Sequence, residues 1–114
     1  MLVIKNDDTN ITIIVGKCAR ENTELVNKYN KSAGVWYHLK DNPSPHIIVI
    51  NEIDPNVKVE ITKGLNIQIG DLMKSNSKYK GKNTLIYTEI SNVKTTKTPG
   101  LVGFKQKKIN EFTY

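Results

Sequence analysis

Apolar residues fall mostly in short β-branched runs along this chain, and only two stretches carry a helical period. Leu2-Val3-Ile4 and Ile11-Thr12-Ile13-Ile14-Val15 flank Asn6-Asp7-Asp8-Thr9-Asn10, a segment rich in turn formers, which predicts an opening β-hairpin. From Ala19 to about Tyr29, the residues Ala19, Leu25, Val26 and Tyr29 recur near helical spacing and Glu24 and Lys28 form an i,i+4 pair. A short amphipathic helix is expected there, ended before Ala33-Gly34. Val35 to Leu39 and His46 to Ile50 read as strands, and Ile47-Ile48-Val49-Ile50 is apolar without alternation, the pattern of a central strand buried on both faces.

Val57-Lys58-Val59-Glu60-Ile61 alternates like a strand, yet Thr62 is a good N-cap for a helix running to about Asn76, with Leu65, Ile69, Leu72 and Met73 on its buried side. Gly64 and Gly70 each weaken that helix by roughly 1 kcal/mol relative to Ala. Gly81-Lys82-Asn83 turns into a strand from Thr84 to Glu89, and Leu101 to Phe104 with Lys108 to Tyr114 read as a closing hairpin. The expected fold is α+β: one domain over residues 1–114, with a mainly antiparallel mixed sheet of about six to seven strands and two helices. At 114 residues and 38% hydrophobic content the chain can bury a modest core, with no second domain expected.

Charge is unevenly placed. Residues 1–71 carry 8 basic and 9 acidic groups, whereas residues 72–114 carry 9 Lys and 2 Glu, so the whole excess of +6 lies in the C-terminal part. Such asymmetry marks either an anionic partner or a solvated face. No apolar run reaches 18 residues and no signal peptide is recognisable, so neither a membrane span nor secretion is expected. Cys18 is alone, which rules out an internal disulfide and fits a reducing, cytoplasmic compartment.

The unusual residues cluster early: Gly16-Lys17-x-x-Arg20-Glu21-Asn22, Trp36-Tyr37-His38, and Asp41-Asn42-Pro43-x-x-His46 hold the sole Arg, the sole Trp and both His. Cys18 with two His has no recognised zinc spacing, no Ser or Cys sits in a nucleophile motif, and Gly16-Lys17 lacks the Walker pattern. No cofactor, metal or enzymatic activity is expected. Trp36 reads as a core aromatic. His38 is either a partly buried imidazole holding a loop carbonyl or, with His46, a contact for phosphate or base beside the 40–45 loop. Arg20 and Lys17 stand at the entry of the first helix, where backbone N–H groups also favour an anion, although Glu21 is placed to pair with one of them.

These motifs, in this order, resemble the NFACT-R domain, the RNA-binding module of NFACT-type ribosome quality-control proteins, which also occurs as short standalone proteins. The family pattern of Gly-Lys, an Asn-containing helix start, Trp-Phe-His and Pro-Gly-Ser-His-Val has counterparts in Gly16-Lys17, Glu21-Asn22, Trp36-Tyr37-His38 and Pro43-Ser44-Pro45-His46-Ile47. The later signature corresponds to Lys74-Ser75-Asn76-Ser77, Tyr87-Thr88, Val93-Lys94 and Pro99-Gly100-Leu101-Val102, so the resemblance runs from about Ile11 to Phe112. Ser44 and Pro45 depart from it, standing where the family prefers Gly and Ser.

The resemblance implies a structured RNA such as tRNA or rRNA as partner, in translation or on the ribosome, with DNA as the alternative nucleic acid; a different class of hypothesis is an adaptor that docks on an acidic protein. The candidate contacts, read from residue type and charge, are Lys17, Arg20, Asn22, His38 and His46 and a cluster of Lys74, Lys78, Lys80 and Lys82, together with Lys94 and Lys97, where the resemblance places a basic loop. Tyr37 and Tyr79 are the candidates for base stacking. Neutralising about five to eight phosphates would make affinity fall steeply with salt. The closing strand, as an open edge, leaves the chain a monomer or a weak dimer.

Overall fold

A computed structural model describes residues 1–6, 8–78 and 84–113. The chain runs β1 (Leu2–Asn6), β2 (Ile11–Val15), α1 (Ala19–Tyr29), β3 (Val35–Leu39), β4 (Ile47–Asn51), α2 (Lys63–Asn76), β5 (Thr84–Glu89), a 3-10 turn (Ile90–Asn92), β6 (Val93–Thr95), β7 (Val102–Phe104) and β8 (Asn110–Thr113). Six strands form one sheet in the order β1-β2-β4-β3-β5-β8, and β6 pairs with β7 in a separate ribbon. Every neighbouring pair is antiparallel, so the sheet holds no parallel strands among the described residues.

Strand periodicity sorts the side chains onto two faces. Ile13, Val15, Val35, Tyr37, Leu39, Ile47, Val49 and Leu85 share one face with Leu65, Ile69 and Met73 of α2. Ile14, Trp36, Ile48 and Ile50 share the other with Leu25 and Val26 of α1 and with Ile90 and Val93. Strand β4 runs between β2 and β3, under a helix on each side, which is why Ile47 to Ile50 is apolar throughout. A helix on each face also explains the unbroken apolar run of β2, whose five residues are all buried.

Thr62 caps α2 as expected, its Oγ1 accepting from the Leu65 N–H at 3.1 Å. The alternating Val57 to Ile61 segment forms no strand; Val59 and Ile61 are half-buried against the α2-side cluster. Tyr37 donates its hydroxyl hydrogen to Asn66 Oδ1 at 2.7 Å, a polar link between β3 and α2 inside an otherwise apolar layer.

The closing hairpin is corrected. β7 pairs with β6, with Val93 opposite Phe104 and Thr95 opposite Val102, while β8 pairs with β5 and forms the sheet's edge. The reason lies in the segment between them. Asn92 Oδ1 accepts from the Gln106 N–H at 2.7 Å, Asn92 Nδ2 donates to the Gln106 carbonyl at 3.0 Å, and the Thr88 hydroxyl donates to the Lys108 carbonyl at 2.9 Å. Residues 105–109 are thereby latched onto residues 88–92 instead of turning tightly, and β7 and β8 go to different partners. The β6-β7 ribbon lies against α1, with Thr95 Oγ1 donating to Asn27 Oδ1 at 3.2 Å.

Candidate functional site

Three segments that are far apart in sequence meet at the first turn of α1: the strand end at Gly16, the 41–46 loop, and the 96–101 loop. The Gly16 N–H donates to the His46 carbonyl at 2.9 Å, and the His46 N–H donates to Asn22 Oδ1 at 3.3 Å. A Cβ on residue 16 would lie 2.2 Å from Asn22 Oδ1, so only glycine admits the Asn22 side chain here. Gly100, at φ +81°, packs against Ala19 and donates its N–H to Thr23 Oγ1 at 2.8 Å. Its left-handed backbone and the closeness of Ala19 both exclude a side chain.

His46 is the centre of this junction. Its Nδ1 accepts from Trp36 Nε1–H at 3.1 Å, which fixes it as the unprotonated nitrogen, and a hydrogen bond to the Gly100 backbone engages it from the other loop. Burial, reinforced by the neighbouring His38, pushes its pKa from 6.5 down to about 3, so the ring is neutral at any physiological pH. His38 lies parallel to Trp36, ring centroids 5.6 Å apart, with its Nδ1 2.7 Å from the Leu39 carbonyl. A carbonyl only accepts, so that nitrogen carries the proton. Burial lowers the pKa of His38 too, opposed by this hydrogen bond.

Beside these rings opens a cavity of about 430 Å³. Trp36, His38 and Ile86 line it from the sheet, Leu101 and Phe104 from the loop and ribbon, and Asp41 to Pro43 from the 41–46 loop. Phe104 meets Trp36 edge to face at 5.4 Å, yet remains 36% exposed, and Leu101 is 58% exposed. Asp41 adopts φ +64°, and Ser44 braces the loop, its Oγ accepting from the Leu39 N–H at 3.1 Å and donating to the Pro45 carbonyl at 3.0 Å.

On the other side of the same loop lies a second, more polar cleft of about 410 Å³, lined by Lys17, Cys18, Asn22, Pro43 to Pro45 and the end of α2 through Lys78. Lys17 and Lys78, 61 positions apart, are exposed side chains at one cleft. Glu21 does not take the Lys17 ammonium: its Oε1 accepts from the Lys17 backbone N–H at 2.9 Å and its carboxylate pairs with the N-terminus at 3.2 Å. Those contacts hold the Glu21 carboxyl below its usual range. Cys18 is the N-cap of α1 and is exposed.

The remaining expected residues fall in several places. Arg20 is exposed and 3.8 Å from Glu24 along α1, an ordinary surface pair. Asn22 and His46 are buried, at 7% and 2%, and their polar atoms bond inside the fold. Tyr37 is fully buried, its hydroxyl on Asn66 and its ring stacked on Tyr87 at 5.1 Å, so it presents no face to a base. That expectation is corrected: Tyr37 falls on the α2 side of the sheet, opposite Trp36 and His38. Lys94 projects from β6 and Lys97 from the loop that docks on α1, both exposed; Lys74 is half-buried on α2. Tyr79, Lys80 and Lys82 lie outside the described residues. Asp41, Leu101 and Phe104 were not expected at a site; Leu101 to Phe104 read as a strand, but nothing local told which layer it would face.

Among the described residues no three His, Cys, Asp or Glu side chains group as a metal site, and no helix is long and apolar enough to cross a membrane. Residues 1–106 match the NFACT protein RNA binding domain. A stretch of 53 residues, 46% of this chain, is 36% identical to the Rqc2 homolog RqcH of Streptococcus suis and spans 10% of that protein. The fold matches the C-terminal part of the fibronectin/fibrinogen-binding protein from Streptococcus suis, with a TM-score of 0.73, 23% identity, and coverage of 97% of this chain and 44% of that one. The match across residues 1–106, nearly the whole chain, means that the chain belongs to the NFACT RNA-binding domain family.

Proposed function

We propose that this domain binds RNA through its phosphate backbone, without turnover, along the cleft that carries Lys17 and Lys78. One observation supports this reading most: two lysines remote in sequence flank one polar cleft, walled by Pro43 to Pro45, in a domain of an RNA-binding family. The exposed Arg20, Lys94 and Lys97 extend the positive field around α1, and Lys74 and Lys80 are further contacts in this reading. A structured RNA such as tRNA or rRNA, in a cytoplasmic ribosome quality-control setting, fits the family and the Rqc2-homologue relative. Asn22 and His46 act by shaping the cleft and Tyr37 by holding α2. The domain acts as a monomer or, through the edge strand β8, as a weak dimer.

Fluorescence anisotropy with tRNA, single-stranded RNA and duplex DNA at about 50 and 200 mM salt tests this. tRNA binding that weakens steeply with salt and drops at least about tenfold in Lys17→Glu/Lys78→Glu is the expected result. A preference for duplex DNA would move the function to DNA binding. No binding to any of the three at low salt would remove the nucleic-acid reading and leave an acidic protein as the partner class.

A further inference from the structure

Resting on the RNA-binding reading, we infer that the apolar cavity between Trp36, His38, Phe104 and the 41–43 segment receives one unstacked base of the bound RNA, and that Asp41 selects guanine. The cavity shares its 41–45 wall with the lysine cleft, Pro43 lining both, so a strand whose phosphates lie by Lys17 and Lys78 has a base on the cavity side of that wall. The cavity is lined mainly by rings and apolar side chains, and Leu101 and Phe104 stay open to water around it. A flat aromatic guest covers such a surface by stacking and edge contacts, as unstacked RNA bases do on aromatic platforms.

The polar part of the lining narrows the guest. No described residue gives the Asp41 carboxylate a hydrogen bond or an ion pair, and its backbone is held at φ +64° at the mouth of the cavity. An unpaired carboxylate beside a phosphate cleft repels RNA unless it accepts hydrogen bonds from it. It offers acceptors only, and guanine is the base whose Watson–Crick edge presents two adjacent donors, N1–H and the N2 amino group. Adenine and cytosine present one amino group next to an acceptor, and uracil a single imino hydrogen between two acceptors.

Trp36 is the sole tryptophan and touches both His38 and Phe104, so its fluorescence reports occupancy. The test compares the RNA pentamers UUGUU, UUAUU and UUUUU, equal in charge, by anisotropy and Trp36 emission at low salt. UUGUU is expected to bind about tenfold more tightly than the others and to change Trp36 emission. Asp41→Asn, which tolerates the same left-handed backbone, should bring UUGUU within about twofold of UUUUU, with UUUUU itself bound somewhat more tightly because the carboxylate's repulsion is gone. Equal affinities with unchanged Trp36 emission would overturn the inference and leave phosphate binding standing; equal emission changes with all three would overturn the guanine preference. Failure of every pentamer and of tRNA would instead fall on the RNA-binding reading.

Discussion

The two faces of the sheet are built differently. The α2 face is a closed layer of Ile, Val, Leu and Met with one polar link, Tyr37 to Asn66, satisfied inside it. The α1 face carries the sole Trp, both His, a short helix and a detached two-stranded ribbon, and it leaves a cavity between them. Close apolar packing is concentrated on one side and chemical variety on the other. A small domain with two helices can afford an incomplete cover on one face because the other is fully packed.

This contrast can be broken by mutation, and the largest effect belongs to the closed face. Ile69→Ala should cost about 2–5 kcal/mol in urea unfolding, since the side chain is fully buried among sheet residues, with RNA affinity of the folded fraction unchanged. A cost below about 1 kcal/mol would mean that α2 does not pack on the sheet as closely as its buried residues indicate.

Next comes acid. His46 is neutral in the fold with its pKa at about 3, while the unfolded chain takes up the proton near 6.5. Between those values the unfolded state binds more protons, so stability is complete above about pH 6.5 and drains as pH falls toward 3. The loss by pH 5 should be about 2 kcal/mol from this group, with the lowered His38 acting in the same direction. Thermal melts of wild type and His46→Gln between about pH 8 and 5 check it, and parallel pH profiles would show that the histidine junction does not carry the effect.

Tyr37→Phe leaves Asn66 Oδ1 buried without its donor and should cost about 1–3 kcal/mol, much of it recovered in Tyr37→Phe/Asn66→Leu. The smallest effect sharpens the comparison from the open side. Phe104→Ala should cost only about 1 kcal/mol in stability, because the ring is already 36% exposed, yet it should weaken RNA binding several-fold. A stability loss equal to that of Ile69→Ala, with binding intact, would make the two faces alike.

The elements were largely legible in the sequence because local chemistry sets them: the turn at Asp8 to Asn10, the Thr62 cap and the apolar run of β4 each act within a few residues. The partners of β7 and β8 were not, because the Asn92 latch onto Gln106 and the Thr88 bond to Lys108 are contacts across 14 and 20 positions. The site was half legible. Rare residue types marked Trp36 and His46, and the motif resemblance marked Lys17 and Asn22, but type alone does not tell a buried brace from a surface contact. Trp36 and Tyr37 are neighbours in a strand and therefore fall on opposite faces, which removes Tyr37 from the site and keeps Trp36 beside it.

Cys18 gives the molecule a handle it did not need engineering to acquire. The single thiol of the chain is exposed, stands at the cap of α1 and lines the lysine cleft. A maleimide photocrosslinker attached there samples whatever occupies that cleft within one linker length, and mass spectrometry of the trapped adducts would map the ligand nucleotide by nucleotide on the wild-type sequence.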